Sequence, residues 1–217
     1  MVTFRLRGHL VVLAATLAAS IVLSDQATSA YVLSGPSWST RPVPYWINTT
    51  NLDLPDASVE SAVRAGADTW AQQTNASFSF SFSGRSVQTT NTNDGINLIV
   101  FRNASSGSAI ATTYWWSNGS GIIDADIVFW DGGFHFFAGT TGCSGGFYIE
   151  DIAAHEFGHA LGLGHSTSPS ATMYPSVSSC NMGNRTLDAD DIAGVLALYP
   201  PAAILPLPPS GVRIVGH

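Results

Sequence analysis

The feature that most constrains this chain is the run from residue 155 to 165, H-E-F-G-H-A-L-G-L-G-H. His155 and His159 are four apart, so on a helix they share one face, one turn apart. Two neutral imidazoles at that spacing suit one zinc ion, and Glu156 is left free to act on a water held beside them. Gly162 is where the helix should stop, because glycine enters the left-handed conformation at little cost. The chain can then turn back and bring in His165 as a third ligand. Three protein ligands leave the fourth tetrahedral position for water, the arrangement of a catalytic site and not of a closed structural one. H-E-x-x-H alone also describes an amphipathic helix with two surface histidines. The longer run fixes five positions in eleven, and a methionine follows it at Met173, in A-T-M-Y-P.

The run H-E-F-G-H-A-L-G-L-G-H-S, with Met173-Tyr174-Pro175 downstream, resembles the matrixins, the matrix-metalloprotease branch of the metzincins. The resemblance extends from about Trp38 to Pro200 and is strongest over 147–200. It implies a metzincin catalytic domain: a twisted five-stranded mixed sheet with three helices, and a zinc cleft between an upper and a lower subdomain. It implies one catalytic zinc on His155, His159 and His165, with Glu156 as general base and Met173 as an apolar floor under the histidines. By the same resemblance, the strand holding Ala109, Ile110 and Ala111 is a sheet edge that pairs with extended substrate. Pro175 would wall an S1′ pocket selecting an apolar P1′ residue. The tyrosine that the family carries two residues after this proline is Val177 here. Some metzincins add a tyrosine ligand two residues after the methionine; that position is Pro175, so none is expected. Asp190-Asp191 match an acidic pair that in the family braces the Met-turn and receives the mature N-terminus, although acids also favour a helix start unaided.

One region departs from the pattern. Near Ile122–Phe129 the vertebrate-type family carries a histidine and further acidic residues for a second, structural zinc and calcium. This chain has Asp126 and Val128 there, and His135 stands alone in F-H-F-F. The expectation is a single zinc. Calcium is left open, at sites that the sequence does not assign; Asp94 is a candidate, though a turn aspartate commonly bonds its own backbone.

Composition narrows the setting. Arg5 and Arg7 precede an apolar stretch, Leu10 to Leu23, too short to span a bilayer. With Thr28-Ser29-Ala30 after it, residues 1–30 read as a secretory signal cleaved before Tyr31, and the protein as secreted. Residues 31–200 form the catalytic domain and 201–217 a proline-rich tail. The net charge of −7 becomes −8 on removing Arg5, Arg7 and Asp25, and the chain has no lysine. A basic footprint for nucleic acid or anionic membranes is therefore missing. The expected partners are protein or peptide substrates, and the expected state is a monomer. In an oxidising compartment Cys143 and Cys180 should pair. The loop of about 38 residues that this closes is worth roughly 4 kcal/mol in the loop-entropy relation. The alternative is a zinc-ligating or inhibitory thiol, yet no cysteine precedes Cys143 and little chain lies between Ala30 and Trp38, so a cysteine-bearing latency segment is not expected.

The remaining pattern alternates strands and helices. Val43–Ile47, Ser77–Phe82, Ile96–Phe101, Ala109–Trp116 and Ile122–Phe129 read as strands, the second from S-F-S-F-S-F alternation. Val59, Ala62, Val63, Gly66, Ala67 and Trp70 recur at helical spacing from Pro55-Asp56 to about Gln72. Phe147–Leu161 reads as the zinc helix, and Asp188 caps a last helix that Pro200-Pro201 stops. Strands followed by helices make the fold class α+β. Five N-x-S/T sequons, at Asn48, Asn75, Asn103, Asn118 and Asn184, are glycan acceptors only in a glycosylating host. Two other functions share the scaffold: a non-catalytic binding module, which should have lost Glu156 or a ligand, and a zinc hydrolase of non-peptide amides or esters, which only substrates distinguish.

Overall fold

The structure is a computed structural model that describes residues 29–202. The expected signal peptide and tail fall outside the described residues, except for Ser29, Ala30, Pro201 and Ala202. In chain order the elements are β1 (Val32–Leu33), β2 (Val43–Asn48), α1 (Asp56–Gln72), β3 (Phe80–Arg85), β4 (Leu98–Phe101), β5 (Ala111–Asn118), β6 (Gly121–Phe129), β7 (Phe136–Phe137), β8 (Phe147–Tyr148), α2 (Ile149–Leu161), β9 (Leu163–Gly164) and α3 (Ala189–Leu198). The sheet order is β3-β2-β4-β6-β5. All pairings in it are parallel except β5 on β6, so β5 is an antiparallel edge. This is the mixed five-stranded sheet with three helices that the metzincin resemblance implied.

One apolar core joins the sheet to α1 and α2, with Tyr45, Ile47, Val63, Trp70, Ile127, Phe157 and Tyr199 each at most 1% exposed. Burying each such side chain favours the fold by roughly 1.5–3 kcal/mol. The aromatics also carry polar handles that must be satisfied when buried. Here those handles close the end of α2. Trp38 Nε1 donates to Ala160 O at 2.7 Å, and Tyr199 Oη donates to Leu161 O at 2.6 Å. Both acceptors are last-turn carbonyls without a helical partner. Helices α1 and α2 approach closely because position 66 has no side chain. A Cβ there would lie 2.6 Å from Ala153 Cβ and 2.8 Å from Ala154 N.

The boundaries differ from the sequence reading where backbone groups have other partners. The strand expected over 77–82 begins at Phe80, because Ser77 N bonds Tyr199 O outside the sheet and parallel pairing with β2 starts at Phe80. The strand expected from Ile96 begins at Leu98, because Ile96 N is taken by Asp94 Oδ1. The strand expected over 109–116 is shifted to Ala111–Asn118, in register with the longer β6. The helix expected over 147–161 begins at Ile149, because Phe147–Tyr148 instead pair with Phe136–Phe137. Cys143 and Cys180 form the expected disulfide, which ties the loop before α2 to the loop after Met173.

In the region of family departure, buried carboxylates organise the loop that precedes β4. Asp124 Oδ2 accepts from the N–H groups of Asp94 and Gly95. Asp126 accepts from Thr92 N at 2.9 Å and Leu98 N at 2.8 Å. Asp94 bonds its own turn at Ile96, and His135 sits exposed against Asp53, its Nδ1 3.1 Å from Asp53 Oδ1.

Two predictions follow from this packing. Gly66→Ala should destabilise the protein by about 1–3 kcal/mol through overpacking; a denaturant midpoint equal to wild type would contradict the contact. Burial pushes the Asp126 carboxyl up to about 7, against the pull of its Leu98 and Thr92 donors. Its folded value lies above its ordinary 3.8, so the stability it contributes is present below pH ~4 and lost as pH rises through about 7. Unfolding free energies measured from pH 4 to 7.5 should fall in wild type relative to Asp126→Asn, by at most about 4 kcal/mol. A pH-independent difference between the two proteins would contradict this.

Candidate active site

Helix α2 carries His155, Glu156 and His159 on its cleft side and ends at Gly162, whose φ is 107°. The left-handed turn redirects the chain, and β9 then pairs antiparallel with β1. Ser34 N bonds Gly162 O at 2.8 Å, which fixes the exit. A Cβ at Gly162 would meet Pro36 O at 2.6 Å, so conformation and space both demand glycine. This turn brings His165 back to the helix.

The three histidines converge as the sequence predicted. His159 Nε2 lies 3.1 Å from His155 Nε2 and 3.2 Å from His165 Nε2. The other ring nitrogens decide what these contacts are. His155 Nδ1 lies 2.7 Å from Thr172 O, and His159 Nδ1 lies 2.8 Å from Leu163 O. A carbonyl only accepts, so each Nδ1 carries the proton and each Nε2 of a neutral ring presents a lone pair. Burial first of all lowers the pKa of both rings to about 4, which keeps them neutral at physiological pH. Lone pairs converging at this distance repel unless a cation lies between them. The edge of a tetrahedron with 2.0–2.1 Å bonds is about 3.3 Å, so the donor set fits zinc. Among the described residues these three are the group able to hold a metal ion.

Glu156 is 6% exposed and lies in the same cleft. Burial raises its pKa, while His159 and the Thr113 hydroxyl pull it down. The cleft, of about 560 Å³, runs beneath β5. Ala109, Ile110 and Ala111 line one side; Pro175 and Val177 line another, and Ile152 of α2 faces the same space. All four residues named from the sequence as substrate contacts therefore border the histidines. Met173 is 2% exposed and packs beneath Gly158, where a Cβ would be 2.2 Å from its sulfur. His135 and Asp94 do not join the triad.

The acidic pair at the start of α3 reaches both ends of the histidine run. Asp191 accepts from Thr172 N at 2.7 Å and Met173 N at 3.0 Å, and Thr172 O in turn receives His155 Nδ1–H. Asp190 accepts from Ser166 Oγ at 2.7 Å, next to His165, and from the backbone N–H groups of Ala30 and Tyr31. Sequence reasoning missed Thr113, Gly158, Leu163 and Thr172. The signal for Gly158 was available: glycine inside a helix costs about 1 kcal/mol against alanine, so its place needs a packing reason. Gly158→Ala should displace Met173 or Trp70, cost about 1–3 kcal/mol of stability and speed zinc loss to a chelator. An alanine variant that melts and retains zinc like wild type would contradict that packing.

A sequence model of the matrixin family matches residues 37–200. Human matrix metalloproteinase-20 is 30% identical over 176 residues, covering 78% of this chain and 33% of that protein. The hatching enzyme of Paracentrotus lividus is 33% identical over 173 residues, covering 78% and 27% respectively. Human matrilysin is 28% identical over 178 residues, covering 81% of this chain and 63% of its own length. The chain thus spans about a third of the longer relatives it matches.

Proposed function

This chain belongs to the matrixin family, and on that premise we propose that it is a secreted, zinc-dependent endopeptidase acting on protein or peptide substrates. The observation that carries the reading is the convergence of three Nε2 atoms, two of them on rings whose tautomer is fixed by backbone carbonyls, beside a buried glutamate in an open cleft. His155, His159 and His165 would hold one zinc. When bound, it would lower the pKa of a water toward 7 and polarise the scissile carbonyl.

The chain's own residues supply the rest. The free edge of β5 offers unpaired backbone groups, so an extended substrate adds as a further strand along Ala109–Thr113. That pairing sets its scissile bond over Glu156. Glu156 accepts the proton of the attacking water and delivers it to the leaving amine. Ile110, Ile152, Pro175 and Val177 form an apolar wall that selects an apolar P1′ side chain. Met173 floors the histidines without ligating. Cleavage after Ala30 would put the new amino group of Tyr31 against Asp190, which already accepts from that nitrogen at 2.8 Å.

The test uses casein and the purified chain, with and without a zinc chelator. Glu156→Ala should keep one zinc per chain and lose about 10²–10⁴-fold in turnover. The fragments should show apolar residues enriched at P1′. Cleavage that persists in Glu156→Ala would remove the assigned base. A zinc-loaded wild type without cleavage would point to a non-peptide hydrolase or a binding module.

A further inference from the structure

The edge strand β5 alternates its side chains between two surroundings. Ala111 and Trp115 pack into the main core toward α2. On the opposite face Thr112 Oγ1 accepts from Trp130 Nε1, and Tyr114 packs against Leu98, Val100 and Val128. Thr113 is thus a hydroxyl set in an apolar row, directly above the helix that carries Glu156. Its Oγ1 lies 2.7 Å from Glu156 Oε2 and 3.0 Å from Glu156 O. A hydroxyl has one proton, and a charged acceptor takes it in preference to a neutral carbonyl. Among the described residues' hydrogen bonds, this is the one that reaches the Glu156 carboxylate.

We propose that Thr113 is a positioning residue for Glu156: its hydroxyl holds Oε2 and leaves Oε1 as the oxygen that faces the attacking water. This deepens the protease reading and rests on it. A glutamate has three side-chain torsions, and a buried one without a donor would be free to rotate or to lie against the sheet. The Thr113 bond removes that freedom. It also fixes which carboxylate oxygen is engaged, so the base meets the water in one geometry. Because Thr113 stands on the strand along which substrate adds, strand position and base position are coupled through a single side chain. Among the described hydrogen bonds the Thr113 hydroxyl reaches only Glu156 and none of the three histidines, so its effect should appear in the chemical step and not in metal binding.

The experiment compares Thr113→Val, which keeps the shape and removes the hydroxyl, with Thr113→Ser, which keeps the hydroxyl. Partners at this remove from a metal centre typically matter 10–100-fold. Thr113→Val should lose about 10–100-fold in kcat with KM within about twofold, while Thr113→Ser should recover to within about threefold of wild type. Zinc affinity by chelator competition and the melting temperature should match wild type in both. A second readout needs no turnover: acetohydroxamate binding to the zinc-loaded protein asks Glu156 to accept a proton donor. It should weaken about tenfold in the valine variant and be kept in the serine variant. A valine variant with wild-type kcat and acetohydroxamate affinity would overturn the proposal, and so would equal losses in valine and serine. A wild type that binds zinc and acetohydroxamate but cleaves no peptide would instead defeat the protease reading, with the acetohydroxamate comparison still deciding the role of Thr113.

Discussion

The structure depends on three imidazole rings being held with their Nε2 atoms against one another. The His155 and His159 rings do not meet in this way for their own sake, since their facing Nε2 lone pairs repel. Both are kept there by backbone carbonyls: Thr172 O on the Met-turn for His155, and Leu163 O just past the helix end for His159. These bonds fix the tautomer, so Nε2 is left as the nitrogen free to coordinate a metal. A cation of the right size would replace that repulsion with coordination. Much of the surrounding fold can be understood as what keeps those two carbonyls in place.

That support comes from distant parts of the chain. Thr172 is held by Asp191 at the start of α3, and Leu163 by the pairing of β9 with β1. The last turn of α2 is closed by Trp38 and Tyr199, which lie 161 residues apart and bond each other. Each contact satisfies a backbone group that would otherwise be buried without a partner, a penalty of about 1–3 kcal/mol. Gly66 lets α1 seat against α2, and Gly158 lets Met173 seat against α2 between the two helical histidines' positions in sequence. The absence of a side chain thus shapes the site at two positions as firmly as any side chain does.

The metal-binding run was legible because its chemistry is local: a helix repeat of 3.6 residues and one glycine stop define it. Helix α1 was legible for the same reason, its apolar stripe placing both ends where the structure has them. The acidic pair Asp190-Asp191 was legible through the family resemblance, and the bonds of Asp191 to Thr172 N and Met173 N brace the turn at Met173 as that resemblance implied. The strand boundaries were less so, because β3 and β4 begin where pairing starts and not where apolar alternation starts. The two-residue strands β1 and β9 carry no periodicity to find. Thr113 was invisible in sequence, since a threonine on a strand needs no explanation. Its meaning comes only from the register that sets it over Glu156.

The most direct measurement is X-ray absorption at the zinc edge of the purified, zinc-loaded protein. It should show three imidazole nitrogens at about 2.0–2.1 Å and one exchangeable oxygen completing a tetrahedron. Loss of one imidazole from the spectrum in His165→Ala would identify the residue brought back by the turn at Gly162. Four protein ligands, a sulfur in the first coordination sphere, or no bound zinc would contradict an open catalytic metal centre on this triad.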